Sequence, residues 1–296
     1  MTAAPLSPPA SRPFRALAYM TGAAASFVLM AVAGRELYGR LDTFEIMTWR
    51  SAIGLAVVLA VAAATSGLGK IRARRMGLQT LRNAIHFAGQ NFWFYAVAVV
   101  PFSQMFAVEF SVPIWTALAA PFVLGERLTR TRLLAALIGF AGILLVARPD
   151  AALSAGVLAA LGAALSFTGA NLATKLLTRT ETTLTILFWL TFMQLVFGLV
   201  FSLWDGEARL PEGGDWPWVL ATAFGGLSAH FCFTAALACA PATVVAPLDF
   251  VRLPMLATVG MVFYGEPLML LTFVGAAIIL AANLLNLRAE GRPAQR

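Results

Sequence analysis

The amino-acid sequence predicts an all-α integral membrane protein of ten transmembrane helices, arranged as two inverted five-helix repeats. Of its 296 residues, 60% are hydrophobic and 12% are charged, whereas a soluble domain has about 45–50% apolar and about 25% charged residues. The apolar residues form ten runs near the length that a bilayer requires, about 20 residues each. The chain also matches itself when it is shifted by 140 residues.

The ten apolar runs are separated by short polar or Pro/Gly-containing segments. The predicted spans cover residues 14–34, 43–66, 77–99, 103–124, 130–147, 154–176, 183–204, 217–239, 243–264 and 268–287. These connections are too short for a soluble domain, and the sequence contains no nucleotide-binding or zinc-protease motif. We therefore expect no enzyme activity, no cofactor and no metal site. The net charge of +7 lies in short loops, which indicates membrane topology rather than nucleic-acid binding.

The 140-residue offset aligns rare residues as well as common ones. Trp49 falls on Trp189, Pro101 on Pro241, and Gly125-Glu126 on Gly265-Glu266. Apolar composition alone aligns Leu and Ala at any offset, but it does not align Trp and Glu at one constant offset. The predicted organisation is a tail over 1–13, a first repeat over 14–148, a second repeat over 154–288 and a tail over 289–296.

The number of spans in each repeat is odd, so the second repeat enters the membrane from the opposite side. With the N-terminus in the cytoplasm, fourteen of the 21 Lys and Arg residues fall in cytoplasmic segments and four fall in outside loops. This bias predicts an inner-membrane protein with both termini in the cytoplasm. Inverted repeats are typical of transporters, because two halves that exchange shapes give outward-open and inward-open states around one site.

Polar and aromatic side chains inside the spans predict a cavity for a small molecule. The candidate substrate-binding residues are His86, Gln90, Trp93, Phe167, Asn171 and His230. The first three follow i, i+4, i+7 spacing, which places them on one helix face. His230 stands at the repeat position of Gln90. The alternative is that these groups hydrogen-bond to neighbouring helices and hold the bundle together.

Ionisable residues and prolines in the fourth and ninth spans predict gates. The candidate gating or charge-coupling residues are Glu109, Asp249, Arg252, Pro113 and Pro247. Glu109 and Asp249 are 140 residues apart and each lies about 10 Å into its helix. Because the repeats are inverted, we predict that they occupy the outer and the inner gate. The alternative is a structural role, since Asp249 and Arg252 are three residues apart and can form an ion pair.

The prolines and Arg50 carry two further expectations. Each proline removes a helical hydrogen bond, so Pro113 and Pro247 are predicted hinges, with helix packing as the alternative. Arg50 in the second span is predicted to extend to the surface or to pair with Glu109, with contact to the substrate as the alternative.

The segment from Pro101 to Arg148, with Gly-Glu-Arg-Leu-Thr at 125–129 and a glycine-bearing helix after it, resembles part of an EamA repeat. Residues 240–288 contain a looser copy, and Thr48-Trp49-Arg50 resembles the second-helix motif of the same family. The EamA family belongs to the drug/metabolite transporter superfamily, and the resemblance covers nearly the whole chain. It implies a membrane transporter of small metabolites, similar to bacterial YddG-type exporters of aromatic amino acids. Arg252 departs from that resemblance.

The predicted cavity suits a small amphipathic solute. We expect export of a neutral or aromatic amino acid by alternating access, and the alternative is a planar organic cation with Glu109 or Asp249 as its counter-ion. Proton coupling would use these carboxylates or the two histidines, whereas facilitated diffusion needs none of them. The expected partners are the solute and the lipid bilayer, and the sequence leaves the oligomeric state open.

Overall fold

A computed structural model of the protein describes residues 13–125, 129–147, 154–204, 209–239, 248–249 and 251–290. Over these ranges the chain forms eleven α-helices of eight or more residues. They are α1 (Pro13–Leu37), α2 (Thr43–Ala64), α3 (Met76–Val99), α4 (Phe102–Glu109), α5 (Val112–Leu124), α6 (Arg130–Ala147), α7 (Ala155–Leu177), α8 (Thr183–Ser202), α9 (Trp216–Cys239), α10 (Arg252–Tyr264) and α11 (Leu270–Glu290).

The helices follow the ten predicted spans, and the all-α fold of ten helical spans is confirmed. Helices α4 and α5 together make the fourth span, in which the sequence predicted a bend at Pro113. Among the described residues, five segments are long and apolar enough to cross a membrane: Phe14–Leu37, Thr43–Ala64, Phe102–Leu124, Ala155–Leu177 and Thr183–Ser202. The ninth span is described from residue 251 onward and at 248–249, so Pro247 lies outside the described residues.

Local side-chain chemistry determines where several helices begin and end. At α2, the Glu45 backbone N–H donates to Asp42 Oδ1 over 2.7 Å, and the Asp42 N–H donates to Glu45 Oε2 over 2.8 Å. This reciprocal pair satisfies two N–H groups that have no helical partner. Helices α5 and α10 end at Gly125 and Gly265, whose φ angles of 72° and 63° fit the left-handed region. These two glycines stand at equivalent repeat positions, so the same stop signal ends both helices.

The helices pack in pairs that join the two repeats. Helix α1 packs on α9, α2 on α8, α3 on α7, α4 on α10 and α6 on α11. In each pair one helix comes from residues 14–148 and the other from residues 154–288. The pairing is reciprocal. The first span of each repeat meets the third span of the other, and the second, fourth and fifth spans each meet their equivalents. This arrangement is what a twofold relation between two inverted repeats produces.

The α6–α11 pair is in direct backbone contact. A Cβ on Gly142 would lie 2.8 Å from the Gly275 carbonyl oxygen, and a Cβ on Gly275 would lie 2.7 Å from the Gly142 oxygen. Both distances are shorter than real Cβ contacts, so each helix needs glycine at the crossing. Small residues at such crossings allow membrane helices to approach closely.

An ion pair joins the two repeats at one end of the bundle. Arg35, near the end of α1, pairs with Glu266, which follows α10. The Arg35 guanidinium also donates to the carbonyl oxygens of Val97 and Val100 over 2.7 and 2.6 Å, where α3 ends. Glu266 accepts the Phe102 N–H over 2.8 Å, where α4 begins. The cation therefore lies at a helix C-terminus and the anion at a helix N-terminus, which is the favourable placement of each charge.

Candidate functional site

The fourth span is broken at its middle, next to an acidic side chain. Helix α4 ends at Glu109, and Phe110 and Ser111 separate it from α5. The carbonyl oxygen of Phe110 accepts a hydrogen bond from Asn283 Nδ2 of α11 over 2.9 Å. The Ser111 hydroxyl donates to the Val108 oxygen over 2.6 Å. Side chains therefore satisfy backbone groups near the break, as buried non-helical backbone inside a membrane protein requires.

A cavity of about 390 Å³ lies beside this break. Its lining includes every described residue that the sequence proposed as substrate-binding or gating, namely His86, Gln90, Trp93, Phe167, Asn171, His230, Glu109, Pro113, Asp249 and Arg252. The two histidines and Gln90 come from the third span of each repeat, and Phe167 and Asn171 come from the first span of the second repeat. The structure thus brings the candidates of both repeats together, whereas their roles in binding and gating stay predictions.

Arg252 holds two carboxylates at the edge of the cavity. Its Nη2 atom lies 3.2 Å from Glu109 Oε1 and 3.4 Å from Asp249 Oδ2. Glu109 also accepts a hydrogen bond of 2.6 Å from Trp93 Nε1. The arginine side chain is 4% exposed, so its charge is balanced mainly by these two acids. The predicted Asp249–Arg252 ion pair is confirmed, and it continues across the repeat boundary to Glu109.

The rings of three phenylalanines surround the same guanidinium. The Arg252 Cζ atom lies 4.5 Å from the ring centroid of Phe27, 5.0 Å from that of Phe110 and 5.1 Å from that of Phe106. A cation within about 6 Å of an aromatic face is attracted by the ring quadrupole. These rings supply part of the stabilisation that water would give to an exposed arginine.

The division of Glu109 and Asp249 between an outer and an inner gate stays a prediction, and the structure adds that the two acids share one arginine. Both acids contact one guanidinium beside one cavity. Arg252 brings the two acids together, because its Nη2 atom lies within 3.4 Å of both carboxylates. The expectation that Arg50 pairs with Glu109 is wrong. Its Nη1 atom donates to Gln90 Oε1 on α3 instead of pairing with Glu109 or extending to the surface.

Several lining residues escaped the sequence reasoning. They are Phe27, Met30, Phe110, Val112, Phe233, Leu280, Asn283 and Leu284. Most are apolar residues in apolar helices, and no local pattern separates them from lipid-facing neighbours. Asn283 is different, since an amide inside the tenth apolar run is a sequence signal for a polar contact within the bundle.

The fold and the cavity define a small-molecule transporter of the membrane. The model of the EamA-like transporter family matches the chain twice, at residues 14–148 and 154–288. The chain therefore belongs to the EamA family of the drug/metabolite transporter superfamily and contains two EamA repeats. It is a multi-pass membrane protein and not an enzyme.

The chain is similar to characterised transporters and to a solved structure. It is 31% identical over 249 residues to a riboflavin transporter of Brucella anthropi, covering 82% of this chain and 87% of the relative. It is 24% identical over 266 residues to an S-adenosylmethionine uptake transporter of Rickettsia felis, covering 90% of each chain. A crystal structure with 21% identity matches with a TM-score of 0.63 over 94% of this chain and 99% of that one.

The unequal contacts of the two acids predict unequal effects of neutral substitutions. We expect Glu109→Gln to lower the free energy of unfolding by about 3 kcal/mol, because it breaks a buried inter-repeat ion pair. Asp249→Asn should lower it by about 1 kcal/mol, since its contact is longer and lies within one helical turn. Equilibrium unfolding of the purified protein in mixed micelles measures both values.

Glu212→Gln is the matched control, because Glu212 is an exposed carboxylate outside the spans. Its effect is expected to stay within about 0.5 kcal/mol. An effect of Asp249→Asn equal to or larger than that of Glu109→Gln contradicts the assignment of Glu109 as the principal partner of Arg252.

Proposed function

We propose that the chain transports a small planar heteroaromatic metabolite with a polar tail, with riboflavin as the first compound to test, by alternating access around the central cavity. The observation that carries the proposal is the composition of the cavity wall. Aromatic rings and amide groups line one space whose volume of about 390 Å³ falls in the range of small-molecule sites.

The aromatic and amide groups of the cavity wall suit such a molecule. The rings of Phe167 and His86 lie 5.7 Å apart, and those of Phe27 and His230 lie 6.0 Å apart. Aromatic side chains stack on nitrogen heterocycles with little dependence on the particular ring. Amide groups of the same wall, such as that of Asn171, can hydrogen-bond a hydroxylated tail. Riboflavin and S-adenosylmethionine, the compounds in the names of two relatives, both combine a heteroaromatic ring with a polar tail.

A neutral or aromatic amino acid is the second candidate. Arg252 lies against Glu109 and Asp249, so charged groups of both signs border the cavity. A guanidinium is a strong partner of a carboxylate, and carboxylates are strong partners of an ammonium group. This arrangement is compatible with transport of an amino acid, whose carboxylate and ammonium groups carry charges of both signs.

Proteoliposomes distinguish the two candidates. Purified protein is expected to carry riboflavin with saturation, and the flux is measured by flavin fluorescence inside the vesicles. Phe167→Ala should lower this flux about tenfold, because stacking on one ring contributes about 1–3 kcal/mol. Phe122→Ala is the control, since Phe122 is 87% exposed on the outside of the bundle.

The same vesicles are tested with tryptophan and phenylalanine, each with and without a pH gradient. Saturable transport of an amino acid without any flavin flux selects the second candidate. A flavin flux that does not saturate, or that equals the flux of empty vesicles, contradicts the first.

We infer that the broken fourth span acts as a hinge between the two access states, together with the gating candidates around it. Pro113 is the second residue of α5, directly after the break. Pro113→Ala restores an N–H that can continue α4 into α5, so we expect slower turnover with unchanged affinity for the solute. Pro121→Ala, in the interior of the same helix, should leave turnover unchanged. Equal turnover in the two variants would contradict hinging at Pro113, and Pro247 remains its predicted counterpart in the second repeat.

We propose further that both termini are cytoplasmic and that the Arg35–Glu266 end faces outward. Fourteen basic residues on one side and four on the other support this orientation. Gly69 and Gly213 are exposed, and a Cβ on either meets no atom within 4 Å. With Cys232 and Cys239 replaced by Ser, Gly213→Cys is expected to react with a membrane-impermeant maleimide in intact cells, and Gly69→Cys only after lysis. The reverse pattern would overturn the orientation.

A further inference from the structure

Two arginines lie next to the α3 wall of the cavity, and of these Arg82 is buried and Arg50 is half-buried. Arg50 on α2 donates to Gln90 Oε1, and Arg82 on α3 donates to Asn83 Oδ1 over 2.8 Å and to Thr174 Oγ1 over 3.0 Å. Within the described part of the chain, neither guanidinium contacts a carboxylate. A charged side chain inside a membrane protein that lacks an acidic partner is expensive and marks a functional site.

Arg50 determines how Gln90 faces the cavity. A guanidinium has five N–H donors and no acceptor, so the amide atom that contacts it must be the oxygen. The Gln90 Nε2 group is thereby left as the free end of a side chain that lines the cavity. Gln90 therefore offers N–H donors to a solute and not a carbonyl oxygen.

His86 adds a second donor on the same face. Its Nδ1 atom lies 2.5 Å from Gln194 Nε2 on α8, and the amide nitrogen is the donor in this contact. A neutral imidazole that accepts at Nδ1 carries its proton on Nε2. His86 lies one helical turn before Gln90 and also lines the cavity, so both residues present N–H groups along one wall.

The net charge of the ionisable groups near the cavity is positive, which agrees with the hydrogen-bond donors of this wall. Arg50, Arg82 and Arg252 contribute three positive charges, and Glu109 and Asp249 contribute two negative ones. A net positive charge near a site of low polarity acts on a bound solute more strongly than it would in water. A ligand edge of carbonyl oxygens and ring nitrogens satisfies the donors, whereas a cationic ring leaves them unpaired and meets like charge.

We propose that Arg50, acting through Gln90, makes the α3 wall select solutes that present hydrogen-bond acceptors and reject planar organic cations of the same shape. The inference rests on the proposed function, and it specifies which edge of the heteroaromatic solute the site reads. Arg50 is a positioning residue, since it contacts the solute only through the amide of Gln90. The proposed selectivity also excludes the planar organic cations that the sequence left open as solutes.

Two fluorescent tricyclic probes of similar shape test the proposal. Riboflavin is a neutral ring system rich in carbonyl groups, and proflavine is a planar tricyclic cation. Binding of each probe to the purified protein in nanodiscs is measured by fluorescence titration. The wild-type protein is expected to bind riboflavin at least about tenfold more tightly than proflavine, because an unsatisfied buried donor costs about 1–3 kcal/mol.

Substitutions at Arg50 separate charge from structure. Arg50→Met is expected to reduce the riboflavin-to-proflavine preference about tenfold, and Arg50→Lys should restore much of it because the positive charge returns. Arg74→Met is the matched control, since Arg74 is exposed in the loop before α3. If Arg50→Met fails to fold, Gln90→Glu serves instead, because a carboxylate there neutralises Arg50 and should remove the preference.

The outcomes keep the two proposals apart. A wild-type protein that binds proflavine as tightly as riboflavin, or a preference that neither Arg50→Met nor Gln90→Glu changes, overturns the selectivity proposal. Preferential binding of riboflavin that depends on Arg50, without saturable flux in proteoliposomes, supports the selectivity proposal and contradicts transport of riboflavin. If neither riboflavin nor proflavine binds, the proposed selectivity and the proposed transport of riboflavin are both overturned.

Discussion

The ion pairs of Arg252 with Glu109 and Asp249 are the interaction on which the interior of the bundle depends. An isolated charge at membrane depth is costly, and removing one partner of a buried pair leaves the other uncompensated. Glu109 lies on the first repeat, and the other two groups lie on the second. The three side chains therefore place the break of the fourth span against the start of α10. The cavity lies beside this contact, so its position follows from the same charges.

The two repeats are equivalent in architecture but not in charge. The repeat position of Glu109 carries Asp249, and Gly125 corresponds to Gly265. The arginines of the cavity have no such counterparts, because Leu190 and Val112 stand at the repeat positions of Arg50 and Arg252. Equivalent residues thus build the scaffold, while the unequal ones give the cavity a positive wall on the α3 side. Unequal groups on the two sides of a site can orient a bound solute, since a symmetric site would present the same groups to both of its edges.

The sequence was sufficient for the spans and for ten of the 18 described residues that line the cavity. Apolar run length and the 140-residue offset, which predicted them, are properties of the whole chain. The sequence was insufficient where one long-range contact decides between local alternatives. Pro113 indicates a bend, but the break at Phe110 is stabilised by Asn283, which is 173 residues away. The sequence leaves acids and amides open as partners of Arg50, and the packing of α2 beside α3 places its guanidinium against Gln90.

Among the described ion pairs that connect the repeats, Arg252–Glu109 and Arg35–Glu266 are expected to respond differently to a change of access. Arg252–Glu109 borders the central cavity, and a rocking motion around that site moves atoms there least. Arg35–Glu266 lies at one end of the bundle, with side chains 11% and 13% exposed, where the same motion moves atoms most. Opening that end admits water to both partners as they separate, which lowers the cost of breaking the pair. The proposed alternating access is therefore compatible with a central pair that persists and a terminal pair that breaks.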